Sequence, residues 1–122
     1  MRILCVDDDS LVLAVTADLL RSLGHDVTEA KSAREAAEAI GDPTPFDILI
    51  TDIHLPGGPD GLELGQYAHK LRPELPVIYF SGVQHVLSEG FHGQVLRKPC
   101  SLGELQRALS AFDERANRSC AR

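Results

Sequence analysis

Short apolar runs alternate with amphipathic stretches along the whole chain. Runs of about four apolar residues are typical of strands buried on both faces, whereas apolar residues three or four apart indicate helices. The predicted strands are residues 3–6, 27–30, 48–51, 77–80 and 94–97. An amphipathic stretch follows each strand, which predicts five successive strand–helix units.

Polar and glycine residues mark the ends of the first two predicted helices. The first helix begins with Ser10 as its N-cap and ends at Gly24. Its predicted apolar stripe consists of Val12, Val15, Leu19 and Leu23. Residues 32–35, Ser-Ala-Arg-Glu, have the form of a capping box and open a second helix that ends near Gly41.

The later helices are marked less evenly. The third is predicted to follow Gly61 and to stop before Pro73. Its predicted apolar pattern consists of Leu64, Tyr67, Ala68 and Leu71. Residues 84–90 form the weakest predicted helix because their apolar stripe is thin. A second capping box at residues 101–104 opens the last helix, whose apolar face consists of Leu105, Ala108, Leu109 and Phe112.

Strict alternation of strands and helices predicts an α/β fold with a parallel sheet covered on both faces. Right-handed crossovers leave few topologies. For 122 residues we expect the flavodoxin-like, doubly wound (βα)5 fold, with a five-stranded sheet in the order 2-1-3-4-5. One domain over residues 1–116 and a polar tail over residues 117–122 complete the predicted organisation.

Composition and charge narrow the class of protein. The net charge of −6 and the lack of a basic stripe argue against direct nucleic-acid binding. No apolar run reaches the roughly 20 residues of a membrane span, and the N-terminus lacks a signal-peptide layout, so a cytoplasmic location is expected. The three cysteines have no paired spacing, which disfavours a disulfide framework or a zinc site. Cys5 is expected to be a small buried hydrophobe.

Polar side chains follow four of the five predicted strands. In a doubly wound sheet, ligands bind beyond the carboxyl ends of the strands, so these residues are expected to face one crevice. They are Asp7, Asp8 and Asp9 after the first strand, Asp52 after the third, Ser81 after the fourth and Lys98 after the fifth.

This set of side chains indicates phosphoryl chemistry. Clustered carboxylates repel one another unless a cation neutralises them, and Mg²⁺ prefers such hard oxygen ligands. A carboxylate, a divalent cation, the ammonium of Lys98 and the hydroxyl of Ser81 together form a clamp for a transferring phosphoryl group. Asp52, at the end of the central strand, is the expected acceptor, as an aspartyl phosphate. Residue types alone leave a signalling domain and a small phosphatase both open.

Residues 2–115 resemble the receiver domain of two-component response regulators, of the chemotaxis-regulator type. The resemblance is carried by Val6-Asp7-Asp8-Asp9, Asp52-Ile53-His54-Leu55-Pro56, Ser81-Gly82 and Lys98-Pro99. It implies a magnesium-dependent phosphoprotein of a phosphorelay rather than an enzyme. The implied donor is a phosphohistidine on a sensor histidine kinase or a histidine phosphotransfer protein, and the implied recipient of the signal is a downstream protein.

The resemblance also implies a role for each site residue. Asp52 would accept the phosphoryl group, and Asp7 and Asp8 would hold Mg²⁺ together with Asp52 and the backbone carbonyl of His54. Ser81 would move to bond the phosphoryl group, and Lys98 would pair with it.

Three departures from the family pattern leave the expected phosphorylation chemistry intact and indicate an unusual output mechanism. The segment from Pro56 to Gly61 is one residue longer than the commonest receiver loop. Val95 occupies the switch position three residues before the lysine, where the family usually has an aromatic residue. Cys100 replaces a bulky apolar residue after Lys98-Pro99.

Several readings of the same residues remain. The sequence favours a single-domain receiver, and the receiver module of a hybrid histidine kinase is the alternative. A magnesium-dependent aspartyl-phosphate hydrolase is disfavoured because enzymes resembling haloacid dehalogenases usually show Asp-x-Asp, whereas Asp52 is followed by Ile53 and His54. An interaction module that works without phosphorylation is disfavoured because the whole chemical set is present.

Overall fold

The computed structural model describes residues 1–43, 45–55, 60–81, 94–97 and 103–110, with the backbone alone at residues 81, 94, 95 and 97. The strands are β1 Arg2–Val6, β2 Asp26–Ala30, β3 Ile48–Asp52, β4 Val77–Ser81 and β5 Gln94–Arg97. The helices are α1 Ser10–Ser22, α2 Ala33–Gly41 and α3 Gly61–Leu71. Residues 103–110 form a further helical segment.

The five strands form one parallel sheet in the order β2-β1-β3-β4-β5, which confirms the predicted flavodoxin-like topology. The chain runs from β1 outward to β2 and then returns to place β3 on the other side of β1. The order of strands therefore reverses between β1 and β3, and their carboxyl ends lie side by side, with Val6 opposite Thr51. In sheets of this kind, such a reversal is where ligands bind.

Alternate residues of the strands enter two separate core layers. The layer under α2 and α3 includes Leu4, Val6, Leu49, Val77 and Tyr79. The layer under α1 and residues 103–110 includes Ile3, Cys5, Ile48, Ile50, Ile78 and Phe80. Every residue of β3 is buried because helices cover both faces of the sheet. The predicted burial of Cys5 is confirmed.

Helix α1 differs from its prediction in two respects. Its N-cap is Asp9 rather than Ser10, because the Asp9 carboxylate reaches the first amide groups of the helix and Ser10 already lies inside it. Its buried residues are Leu13, Ala17 and Leu20, whereas Val15 is 51% exposed. The helix is apolar on several sides, so the spacing of apolar residues alone could not identify the face against the sheet. Gly24 follows the helix with φ of +92°, in the predicted terminal position.

The caps of α2 and α3 show how short sequence patterns fix helix starts. The Ser32 hydroxyl accepts from the Glu35 amide at 3.1 Å, as predicted, but the Glu35 carboxylate accepts from the Lys31 amide rather than from that of Ser32. In α3, Asp60 and Glu63 form a complete capping box that was not predicted.

The predicted apolar stripe of α3 is half right. Leu64 and Ala68 are buried, whereas Tyr67 and Leu71 are 41% and 49% exposed. Tyr67 lies three residues after Leu64, and Leu71 lies three residues after Ala68. Both are therefore at the edge of the buried face of the helix, where side chains reach solvent.

Arg72 connects the ends of α2 and α3 at the amino-terminal side of β3. Its guanidinium donates to the carbonyl oxygens of Ile40 at 2.8 Å and Asp42 at 2.6 Å. It also lies over the ring of Phe46, 5.7 Å from the centroid. A cation is favourable at this point because the last carbonyl groups of a helix lack partners within the helix.

Several predicted features lie outside the described residues. These are the helix over residues 84–90, most of the loop from Pro56 to Gly61, Lys98, Cys100, Phe112 and the tail over residues 117–122. Among the residues that are described, no helix combines the length and the hydropathy needed to cross a bilayer.

Candidate functional site

Three carboxylates meet where β1 and β3 end. Asp7 directly follows β1, Asp8 comes next, and Asp52 is the last residue of β3. One oxygen from each carboxylate lies within 4.8 Å of the corresponding oxygens of the other two. The pairing of β1 with β3 produces this cluster, since it places the two strand ends next to each other.

The cluster has a buried base and an open mouth. Asp7 and Asp52 are only 4% and 8% exposed, whereas Asp8 is exposed. Like charges at this separation repel one another, more strongly where they are removed from water. A cation between the three carboxylates would turn this repulsion into attraction.

Backbone amide groups orient two of the three carboxylates. The Asp7 carboxylate accepts from the amide of Asp9 at 3.0 Å, and the Asp52 carboxylate accepts from the amide of His54 at 3.2 Å. Asp9 belongs to a different structure, because its carboxylate accepts from the amides of Leu11 and Val12 at the start of α1. The carboxylates of Asp7 and Asp8 therefore belong to the acidic cluster, whereas that of the neighbouring Asp9 caps a helix.

The backbone around Asp52 is fixed by β4 on one side and by α3 on the other. The Ile53 amide donates to the Phe80 carbonyl at 2.9 Å, and the Gly61 amide donates to the Ile53 carbonyl at 2.8 Å. A Cβ atom at Gly61 would overlap the carbonyl oxygen of Asp52 and would lie 2.8 Å from the Cα of Ile53. Sequence reasoning used Gly61 only to mark a helix start. Its close approach to the acceptor strand is visible only in three dimensions.

The other predicted site residues have mixed outcomes. Ser81 ends β4, one residue beyond Phe80, which pairs with Asp52. Val95 lies in β5 and pairs with Tyr79 of β4. The side chains of Ser81 and Val95 and the whole of Lys98 are outside the described residues. His54 is exposed beside the cluster, and the role of its backbone carbonyl stays a prediction. Of the predicted set, the described part of the structure therefore brings together Asp7, Asp8 and Asp52.

The donor atoms of the cluster suit a small divalent cation. Mg²⁺ typically takes one or two carboxylates and keeps several waters, and an acidic site open on one side offers both. Three carboxylates also suit the charge of such an ion better than that of a monovalent one. The cluster is thus chemically appropriate for metal-assisted transfer of a phosphoryl group.

Comparison with known protein families gives one clear result. The response regulator receiver domain family matches residues 3–110 of the chain. The two-component response regulator ARR12 of Arabidopsis thaliana is 34% identical over 112 residues, which cover 87% of this chain and 18% of that protein. The DNA-binding transcriptional regulator NtrC of Escherichia coli K12 is 34% identical over 118 residues, which cover 89% of this chain and 25% of that protein. The chain thus spans about a fifth of the length of the curated relatives it matches.

Solved structures agree with this result. A CheY-like receiver domain protein from Methanospirillum hungatei JF-1 superposes with a TM-score of 0.85 at 31% identity, over 96% of this chain and 97% of the other. The receiver domain of the hybrid histidine kinase CckA superposes with a TM-score of 0.78, also at 31% identity, over 92% of this chain and 98% of the other.

Proposed function

Because this chain belongs to the response regulator receiver domain family, the phosphoacceptors of two-component signalling, we propose that Asp52 is its phosphoacceptor. The observation that carries this proposal is the position of Asp52. It ends the fully buried central strand at the point where the order of strands reverses, and two further carboxylates lie within 4.8 Å.

The proposal assigns Mg²⁺ to the acidic cluster. Asp7, Asp8 and Asp52 would hold it, with the backbone carbonyl of His54 as a fourth protein ligand. When bound, the ion supplies positive charge against the oxygens of the incoming phosphoryl group. The geometry that supports the assignment is the convergence of the three carboxylates, together with the amide groups of Asp9 and His54, which hold Asp7 and Asp52 in place.

The reaction is an in-line displacement at phosphorus. A carboxylate oxygen of Asp52 forms the new O–P bond while the N–P bond of a phosphohistidine breaks, and the departing imidazole keeps the electron pair and takes up a proton. Lys98 and Ser81 would bind the remaining oxygens of the phosphoryl group. Positioning and charge stabilisation account for most of catalysis in transfers of this kind.

We infer that the phosphoryl donor is a protein. Leu11 and Val15, one turn apart on α1, are 73% and 51% exposed and belong to the helix that begins directly after Asp9. Because these two side chains lie on the same side of the helix, they offer a small apolar area to a protein donor. The donor would be a sensor histidine kinase or a histidine phosphotransfer protein, and the exchange would take place in the cytoplasm.

The output of the proposed reaction is a change of surface, not turnover of a substrate. The added charge on Asp52 would draw in Ser81 and alter the face around Val95, which a downstream protein then recognises. The hybrid-kinase alternative is not favoured over this reading, since response regulators such as ARR12 and NtrC share the same domain.

The direct test is intact mass after incubation with acetyl phosphate, with Mg²⁺ or with a chelator, on wild type, Asp52→Asn and Asp9→Asn. Asp9 is the matched control because it is acidic and adjacent in sequence, yet its carboxylate caps α1. Asn is also a good N-cap, so this variant keeps the helix start. We expect one phosphoryl adduct in wild type and Asp9→Asn, only with Mg²⁺, and none in Asp52→Asn.

An adduct that persists in Asp52→Asn would show that another residue is the acceptor. Release of phosphate from acetyl phosphate at an unchanged rate in Asp52→Asn would likewise contradict the assignment of Asp52 as the acceptor.

A further inference from the structure

Tyr79 is a buried ionisable residue without a role in the chemistry described above. It lies in the middle of β4, is 2% exposed and packs in the core layer under α2 and α3. Burial, and secondarily the charge of Asp60, raise the pKa of its phenol to about 12. The phenol also lies against α3, whose N-cap is Asp60.

The end of the phenol ring occupies a notch in α3 at Gly65. A Cβ atom at Gly65 would overlap the Tyr79 hydroxyl and would lie 2.7 Å from the ring carbon that bears it. The backbone of α3 thus rests directly on the phenol, and the depth of this contact sets how close the helix lies to β4.

One turn earlier, the same face of α3 rests on the acceptor strand. Gly61 and Gly65 are four residues apart and so lie on the same side of the helix. Gly61 contacts the backbone of Asp52 and Ile53 and donates to the Ile53 carbonyl at 2.8 Å. Helix α3 therefore contacts Asp52 at one turn and Tyr79 at the next. A shift of the helix at Tyr79 would also shift it at Asp52.

We propose that Tyr79 is a positioning residue for the phosphoacceptor: its phenol sets the depth of α3 at Gly65, and α3 in turn sets the backbone of Asp52 through Gly61. This inference rests on the proposed function, since it assumes that Asp52 receives the phosphoryl group. It concerns Tyr79 and Gly65, which lie outside the sequence patterns that identified the site.

The test uses Gly65→Ala, Tyr79→Leu and the double variant in the whole chain. The initial rate of adduct formation from acetyl phosphate is measured by intact mass at saturating Mg²⁺. Gly65→Ala should lift α3 off the phenol and slow phosphorylation by about 10- to 100-fold, as expected for a displacement of a reacting group by up to an ångström. The shorter Leu leaves room for the new methyl group, so the double variant should be markedly faster than Gly65→Ala alone.

Two control variants separate positioning from stability. Gly41→Ala also adds a methyl group near a tyrosine hydroxyl, but its Cβ would lie 3.8 Å from the Tyr67 oxygen, an ordinary contact, so its rate should equal that of wild type. Leu20→Ala removes a buried side chain from the opposite core layer and should lower stability without changing the rate per folded molecule.

The outcomes distinguish this inference from the function on which it rests. No adduct on wild-type Asp52 would overturn both. Normal labelling of wild type with an unchanged rate in Gly65→Ala would overturn the positioning role alone, as would a double variant whose loss equals the product of the two single losses. If Gly65→Ala does not fold, the rate of the double variant is compared with that of Tyr79→Leu. Equal phosphorylation rates in these two variants support the proposed contact. A rate that is tenfold lower in the double variant than in Tyr79→Leu contradicts it.

Discussion

The two ends of the central sheet differ in how their charged groups are paired. At the carboxyl ends of β1 and β3, three carboxylates lie within 4.8 Å of one another, two of them buried. At the other end, the guanidinium of Arg72 meets two carbonyl oxygens and an aromatic face. The first arrangement brings like charges together, whereas the second places a cation against carbonyl oxygens and an aromatic ring. Separating the two lets the site carry unfavourable charge while the rest of the domain supplies the stability.

The largest effect on stability is expected at the Arg72 end. Arg72→Ala leaves the carbonyl groups of Ile40 and Asp42 without their charged donor and removes the contact with Phe46. The free energy of unfolding, measured with urea, should fall by about 3 kcal/mol. Phosphorylation of the folded fraction should be unchanged, because this end is remote from Asp52.

The matched control for Arg72 is Arg34→Ala. The Arg34 side chain is 88% exposed and pairs with Glu38 at 3.8 Å one turn away, so its loss should cost no more than about 0.5 kcal/mol. Equal losses in the two variants would contradict the contrast between the ends of the sheet.

A smaller loss of stability is expected when the buried phenol of Tyr79 loses its proton at high pH. The pKa of Tyr79 is about 12 in the folded state and about 10 when the phenol is exposed in the unfolded chain. The folded state therefore binds the proton more tightly, so the contribution of Tyr79 is complete below pH 10 and is lost as the pH rises towards 12. The loss amounts to about 2 kcal/mol.

Urea unfolding between pH 9 and 12 measures this loss. Tyr79→Phe has no proton to lose and should show a shallower decline than wild type. Parallel curves for wild type and Tyr79→Phe would show that the buried phenol does not titrate in this range.

The smallest effect has the opposite sign. Asp52→Asn removes one of three mutually repelling charges and keeps an oxygen that can accept from the His54 amide. In the presence of a chelator, this variant should be more stable than wild type by about 1 kcal/mol, and less so at high salt. Adding Mg²⁺ should then stabilise wild type more than the variant. Asp9→Asn, outside the cluster, should show neither change, and a wild type more stable than Asp52→Asn without Mg²⁺ would contradict the repulsion.

The fold could be predicted well because it depends on the order of apolar and polar residues along the chain. Apolar runs located three strands, and the weaker patterns at residues 27–30 and 94–97 located the other two. The alternation of strands with helices then led to the observed order of the sheet. The convergence of Asp7, Asp8 and Asp52 followed from that order, since parallel strands end at the same edge.

What the sequence could not predict depends on which surfaces meet. Leu13, Ala17 and Leu20 face the sheet although neighbouring positions of α1 are equally apolar. Asp9 and Ser10 are both good N-caps, and only the path of the chain after β1 selects Asp9. In the sequence, Gly61 marked only a helix start and Gly65 carried no signal, because their close contacts with Asp52 and Tyr79 exist only in three dimensions.

The notch at Gly65 also constrains how this domain can diverge. As long as a tyrosine occupies position 79, alanine at position 65 has no space for its methyl group, so mutation at position 65 alone is disfavoured. A lineage that first acquires a smaller residue at position 79 removes that barrier, and glycine then becomes replaceable. Among homologous domains, the two positions should therefore vary as a pair, with the change at position 79 preceding the change at position 65.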